Sequence, residues 1–283
     1  MADDGSGARA SGGGPVSAEQ RHWNDPGWAA SWPRRERLTS EVTGTLLDHL
    51  GPVAGERVLE VGSGGGTATF ALADRVGGGG SVVAVDVSVP LCDLARSRAG
   101  ERGIDNVTFV VADAQRADIP GGPFSAAVSQ FGVMFFDDPV AAFANLRAHV
   151  AGGAPLAFAC WRSPADNPWM VNATVAAFSA APPARPPGPG VPGPFAFADT
   201  AATLALVGAA GWQAARATPC DVAVEVDEEV LFDESFLHVA GVPEERVGQA
   251  VEAVRTKLAP LARPGGRYEV PLAFQVVTAV APA

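Results

Sequence analysis

Apolar and polar positions change period again and again between residues 34 and 161. Arg34 to Leu50 carries Leu38, Val42, Leu46, Leu47 and Leu50 at helical spacing and stops at Gly51-Pro52. Arg57 to Val61 reads as a strand, Thr67 to Val76 as a helix, and Ser81 to Asp86 as a nearly continuous apolar strand. Such a run is expected where both faces of a parallel sheet are covered. Pro90 to Arg102 reads as a helix, and Val107 to Val111 and Phe124 to Ser129 as strands. Pro139 to Val150 is a helix with proline at its start and Gly152-Gly153 behind it, and Pro155 to Trp161 is a fifth strand. This alternation predicts βαβ units and a doubly wound, mostly parallel α/β sheet. Right-handed crossovers then bring the strands' C-terminal ends to one edge, where ligands bind.

After Trp161 the rhythm changes. Asn167 to Ala180 looks helical, Pro182 to Pro194 is too rich in Pro and Gly for regular structure, and Thr200 to Gly211 resumes a helix. Val222 to Val226 reads as a strand, Glu228 to Leu261 as one or two helices, and Leu272 to Val280 as a final strand. The expected organisation has four parts. Residues 1–20, rich in Gly, Ala and Ser without the apolar stretch of a signal peptide, form a disordered leader. Residues 21–162 form the core with an N-terminal helical lid. Residues 163–198 are a cap insertion with the Pro-rich segment, and residues 199–283 complete the sheet around a second helical cap insertion, 228–265.

Bulk properties exclude several function classes. The 283-residue chain has a formal net charge of −11, the wrong sign for a nucleic-acid partner, which would need a basic stripe. Arg34-Arg35-Glu36-Arg37 is mixed in sign and reads as a solvated helix face. The three cysteines, Cys92, Cys160 and Cys220, are widely spaced, and acids and histidines show no ligand spacing, so no metal is expected. That usage suits a reducing cytoplasm. No run approaches the ~18 apolar residues of a membrane span.

The most informative stretch is Val58-Leu59-Glu60-Val61-Gly62-Ser63-Gly64-Gly65-Gly66, a strand that delivers a glycine turn to a helix N-terminus. Glycines there let a ligand approach main-chain N–H groups. A nicotinamide dinucleotide, and with it an oxidoreductase, is one alternative. Its Gly-x-Gly-x-x-Gly turn would place Thr67 at the third position. Glu60 at the mouth of the turn would repel a pyrophosphate and can accept hydrogen bonds from an ammonium group. Asp86, closing the second strand, suits a ribose diol in either case, and Asp113, after the third, can accept from an exocyclic adenine amine.

With Val85-Asp86-Val87-Ser88, Ala112-Asp113-Ala114 and Ser129-Gln130-Phe131-Gly132-Val133-Met134-Phe135-Phe136-Asp137-Asp138-Pro139 added, the chain resembles the class I S-adenosylmethionine-dependent methyltransferases, in particular the small-molecule, ubiquinone/menaquinone methylase-like branch. The resemblance covers residues 34–161 and only loosely the caps. It implies a seven-stranded Rossmann-like sheet and S-adenosyl-L-methionine as cofactor. It also implies that Glu60, Gly62, Ser63 and Gly64 face the methionine part and that Asp86 takes the ribose hydroxyls. Val87 packs on adenine, Asp113 and Ala114 hold its edge, and Ser129 and Gln130 line the methionine side. Trp32, ahead of the first helix, stands where related proteins often place an aromatic lid residue.

The protein's own task is then positioning, with a base needed only for a protonated, weakly acidic acceptor. His49 and His149 fall in last helical turns, where the helix C-terminus explains them, which leaves His22 and His238 as candidate bases. Asp137-Asp138 before Pro139 read as a helix start. Aromatic and apolar residues at the ligand edge, Trp23, Phe131, Met134, Phe135, Trp161 and Trp169, are candidates for acceptor binding. They point to a small, largely apolar or aromatic acceptor in specialised, natural-product metabolism, handled by a monomer or homodimer. A cofactor-binding protein that promotes a non-methylating cyclisation or rearrangement is the remaining alternative.

Overall fold

The computed structural model describes residues 22–51, 53–181, 192–232, 234–239 and 242–283. The expected leader and most of the Pro-rich segment lie outside them. The first helix, α1, spans Pro26–Arg35, and a 3₁₀ turn (Glu36–Leu38) separates it from α2, Ser40–Leu50. One continuous helix from Arg34 was expected. The chain instead bends at the 3₁₀ turn, and Trp32 lies inside α1 rather than ahead of the first helix. There follow β1 (Arg57–Val61), α3 (Thr67–Val76), β2 (Ser81–Asp86), α4 (Val89–Arg102), β3 (Val107–Val111), β4 (Ala126–Gln130), α5 (Pro139–Ala148) and β5 (Pro155–Trp161). Next come α6 (Pro168–Ala180), α7 (Thr200–Ala209), β6 (Gln213–Asp227), α8 (Glu228–Leu231), α9 (Glu234–Val239), α10 (Val247–Leu258), β7 (Ala262–Arg263) and β8 (Arg267–Val280).

The sheet order is β3-β2-β1-β4-β5-β8-β6, with the two-residue β7 attached to β8. The first five strands of that order are parallel, and β8 is antiparallel to both neighbours. Seven principal strands in a mostly parallel sheet match the expected fold. From β1 the chain winds outward through β2 and β3, then returns to place β4 on the other side of β1. That reversal is the topological switch point, where such sheets bind ligands. Val58, Leu59, Val82 to Val85, Ala126 to Val128 and Leu156 to Cys160 are all buried in one continuous core. Side-chain caps start the helices at defined places. Ser88 accepts from Leu91 N, and Asp138 from Ala141 N, as expected of a helix start before Pro139.

The register of β8 positions the helices outside the sheet. Residues Phe274–Val280 pair with β5, while Arg267–Ala273 run on past the C-terminal end of β5, paired with β6 and β7. This ribbon therefore projects beyond the ligand edge and carries α8, α9 and α10 in its connection. α10 packs on α6, and α8 and α9 pack on α1. Glu228 to Leu261, expected as one or two helices, is broken into shorter pieces by Pro243 and two 3₁₀ turns.

Asn167 fixes α6 to the sheet at the point where β8 leaves β5. Its fully buried side chain donates from Nδ2 to the carbonyl of Ala273 (2.8 Å) and accepts from the Ala273 N–H (3.0 Å), as a neighbouring strand would. Asn167→Ala leaves that buried N–H unpaired. It should cost about 1–3 kcal/mol, read in urea as a lower unfolding midpoint with an unchanged slope. An unchanged midpoint would refute this role.

Candidate functional site

The site grows from the turn after β1. Gly62, Gly64 and Gly66 have φ of 74°, 53° and 92°, a left-handed backbone that only glycine adopts freely. Gly62 has a second constraint, because a Cβ there would lie 2.7 Å from Cα of Gly132 in the loop after β4. Two loops at the switch point thus meet backbone to backbone. Ser129 bolts them together, its hydroxyl donating to the Val61 carbonyl (2.7 Å) and accepting from Gly132 N (3.2 Å). Gln130 bridges to α2, accepting from the Thr43 hydroxyl (2.8 Å) and donating to the Thr39 carbonyl (3.2 Å).

At the end of β2 the Asp86 carboxylate accepts from Gly64 N (2.8 Å) and Ser88 N (2.9 Å). Burial raises its pKa, and those backbone N–H groups oppose the shift. Val87 follows, half-buried, and its carbonyl accepts from Asn24 (3.0 Å). Past β3, Asp113 accepts from Gln115 N (3.0 Å) and pairs with Arg116 (2.9 Å). Ala114 is buried and its carbonyl accepts from Asn145 (2.9 Å).

Glu60 is the exceptional group. It is 1% exposed, and its Oε2 has no hydrogen-bond partner among the described residues. Neither have the buried hydroxyls of Ser63 and Thr69. Burial pushes the Glu60 carboxyl up to about 8; the neighbouring Thr69 hydroxyl opposes that shift, and the Asp86 charge adds to it. A buried acid with an unpaired oxygen is costly, and a cation or N–H donor delivered by a ligand would satisfy it.

The aromatic candidates separate into two groups. Phe131 (φ 61°) is held in the left-handed region, a strain of roughly 1–2 kcal/mol for a residue with a Cβ. Its ring stacks on Trp161 at 4.3 Å, and Trp161 meets Trp169 edge-on at 6.2 Å. Trp169 is buried and its Nε1 has no partner among the described residues. On the other side, Phe135 faces Trp23 edge-on at 5.1 Å, and Trp32 lies on Gly64 and Gly65. Met134 is buried in the core beneath them.

Of the histidines, His22 sits edge-on against Trp23 and Trp28. Desolvation lowers its pKa, the Arg35 charge adds to that shift, and Asp25 opposes it. His238 is exposed on α9 and paired with Glu244 (3.0 Å). His149 accepts from Ile119 N (2.9 Å), and His49 contacts the Thr45 carbonyl (2.8 Å). Among the described residues no three His, Cys, Asp or Glu side chains are grouped to hold a metal ion, and no helix is long and apolar enough to cross a membrane.

Some groups at the loop had no signal in the sequence. Arg98 of α4 donates to the Gly65 carbonyl (2.9 Å) and pairs with Glu36 (2.8 Å), which also accepts from the Thr67 hydroxyl (2.6 Å). Glu36 is thus tied to the glycine turn, a correction to the reading of Arg34 to Arg37 as a solvated face. Arg37 of that cluster is exposed, and it pairs with Asp227 and Glu229. Asn24 and Arg98 act across more than thirty positions of sequence, beyond the reach of any local pattern.

The Glu60 environment predicts a pH dependence. A carboxyl whose folded pKa lies near 8 against about 4.5 unfolded leaves the fold unpenalised below about pH 4.5. It destabilises the fold progressively as pH rises towards 8, as the unfolded chain ionises first. Glu60→Gln should therefore match the wild type at low pH and exceed it above pH 7, by on the order of a few kcal/mol. Thermal unfolding of both proteins across that range checks the sign, and parallel curves would refute it.

Residues 58–153 match the family model described as "Methyltransferase domain". The aklanonic acid methyltransferase DauC of Streptomyces sp. (strain C5) is 35% identical over 113 residues, which cover 40% of this chain and 51% of DauC. The chain spans about half, or less, of the length of the first curated relatives it matches. Among solved structures, the YcgJ protein of Bacillus subtilis superposes with a TM-score of 0.58 at 15% identity, covering 85% of this chain and 98% of its own. A SAM-dependent methyltransferase from Aquifex aeolicus gives 0.50 at 16% identity over 94% of both chains. The glycine turn, the acid closing β2 and the sheet order thus belong to one pattern: residues 58–153 are a methyltransferase domain, carried on the fold of the S-adenosylmethionine-dependent class.

Proposed function

We propose that this chain transfers a methyl group from S-adenosylmethionine to a small, largely apolar or aromatic acceptor in specialised metabolism. The orphaned Oε2 of Glu60 carries the reading. A pyrophosphate would worsen that buried acid's position, whereas an amino-acid ammonium supplies the missing donor and favours its ionised form. The cofactor, when bound, supplies an activated methyl on a sulfonium. Asp86, oriented by the N–H groups of Gly64 and Ser88, is suited to a ribose diol. Val87 and Ala114 offer apolar contact to a base, and Asp113 an acceptor for its amine once Arg116 gives way. Ser129 and Gln130 act by holding the loops in place, since their polar atoms are already engaged.

Acceptor recognition falls to the other half of the edge. Residues 163–198 and 228–265 serve as the cap over residues 21–162, a division supported by the ribbon that carries α8 to α10 past β5. Phe131, Trp161 and Trp169 offer an aromatic wall, with Met134 packed behind and Trp23 and Phe135 opposite. The unpartnered indole N–H of Trp169 favours an acceptor with a carbonyl or hydroxyl oxygen. DauC, by its name, methylates aklanonic acid, and an acid's oxygens are compatible with that chemistry. His22, kept neutral by desolvation, is the better placed of the two candidate bases, because His238 must first leave Glu244. Three free thiols fit action in the cytoplasm, as a monomer or homodimer.

Mass spectrometry of a panel of hydroxylated aromatic acceptors incubated with S-adenosylmethionine should reveal a product that gains one methyl group. Asp86→Ala should weaken S-adenosylhomocysteine binding by at least ~10-fold, about 1.4 kcal/mol, with loss of that product. Calorimetry in which NAD(H) binds and S-adenosylhomocysteine does not would overturn the reading. Turnover of an acceptor with no methyl gained would replace it with a cyclisation or rearrangement.

A further inference from the structure

The segment ahead of the sheet lies on the surface that a cofactor would use. The Trp32 indole is packed on the glycine turn so closely that a Cβ on Gly64 would meet its Cζ2 at 2.6 Å, and one on Gly65 its Cδ1 at 2.4 Å. Trp23 stands edge-on to Trp32 (6.2 Å) and to Phe135 (5.1 Å) and leans on Trp28 at 4.9 Å. The indoles thus line the space between the glycine turn and the loop after β4.

Three attachments hold the segment there. The Asn24 amide donates to the Val87 carbonyl (3.0 Å) and accepts from Val89 N (2.9 Å), gripping the loop after β2 on both sides of Ser88. The Ser88 hydroxyl donates to the Trp23 carbonyl (2.6 Å). Beyond α1, Glu36 joins Arg98 and Thr67 at the turn itself. Every element that the proposed cofactor would touch through Gly64, Asp86 or Val87 is therefore already engaged by residues 22–36.

We infer that residues 22–35 form a self-docked plug, in which the Trp32 indole, backed by Trp23, occupies the crevice that S-adenosylmethionine enters and the Asn24 grip opens to admit it. The inference rests on the proposed cofactor. It is opposite in sign to a lid that closes over bound ligand. A lid residue adds contacts to the complex, so its removal weakens binding. A plug competes with the ligand, and apparent affinity falls by the fraction of chains that are open. Loosening it strengthens binding.

The test follows tryptophan fluorescence of the full chain in stopped flow, with S-adenosylhomocysteine as the probe. The wild type should show an observed rate that levels off with ligand concentration, limited by opening. Asn24→Ala should raise that plateau about tenfold and lower Kd by a similar factor, about 1.4 kcal/mol, and Trp32→Ala should lower Kd as well. Weaker binding in both variants, or a plateau unchanged in Asn24→Ala, would overturn the plug. Hydrogen exchange provides a readout without substitution: amides of residues 26–35 should exchange slowly in the ligand-free chain and faster with S-adenosylhomocysteine. Slower exchange on binding would identify a closing lid and overturn the inference. Absence of binding in the wild type and both variants would defeat the cofactor reading itself, and the plug with it.

Discussion

The contact between Gly62 and Gly132 is the constraint on which the site depends. These two backbones meet at the switch point, where β1 and β4 leave the sheet side by side, and neither tolerates a Cβ. Their approach lets one hydroxyl, that of Ser129, bridge both loops. It also forces the chain at Phe131 into a left-handed turn, which lays that ring flat on Trp161. The glycine turn on one side and the aromatic wall on the other are thus consequences of a single close approach. Strain at Phe131 persists because the packing around it is over-determined.

A second constraint is electrostatic. The chain is strongly acidic, yet it buries Glu60 close enough to Asp86 for that charge to raise the Glu60 pKa further. Asp86 is made tolerable by two backbone N–H groups, whereas one Glu60 oxygen is unpaired among the described residues and burial outweighs the opposing Thr69 hydroxyl. Stability is given up at this place, as is common where a ligand supplies the missing partner. The charge of a bound ammonium would act on both acids at once, so cofactor binding and proton release from Glu60 are linked.

How much was legible in the sequence follows from how each element is buried. β1, β2, β3 and β5 fall within their expected bounds, because strands covered on both faces read as apolar runs with abrupt ends. β6 was read from its apolar end only. It is an edge strand, largely exposed over Gln213–Asp221, with a register shift near Ala214 and Pro219 inside, so its outer half looks like loop. β8 alternates over Arg267–Leu272 where it leaves the core, and only its buried half was seen. α1 left no clear pattern because Pro26 and Pro33 mask a ten-residue helix that packs on other helices and buries only Trp28 and Ser31. At the site, spacing identified Glu60, Asp86 and the glycines, while Arg98, which bonds the Gly65 carbonyl, Glu36, which pairs with Arg98, and Asn24, which grips Val87 and Val89, come from other elements. Side-chain grips on a distant backbone leave no periodic trace.

The plug's strength comes from packing rather than from charge. Arg37 joins the turn after α1 to Asp227 and Glu229 at the far end of the ribbon, but all three side chains are about half exposed. Exposed pairs of this kind contribute about 0–1 kcal/mol and weaken with salt. The indole cluster, with Trp28 buried and Trp23 and Trp32 half-buried against it, removes far more apolar surface from water. Opening therefore exposes tryptophan, and a bound nucleoside recovers part of that loss by covering the same walls. Because α8 and α9 pack on α1, outward movement of the plug also shifts the helices carried between β6 and β8. α1 thus joins the aromatic cluster mechanically to the ribbon between β6 and β8.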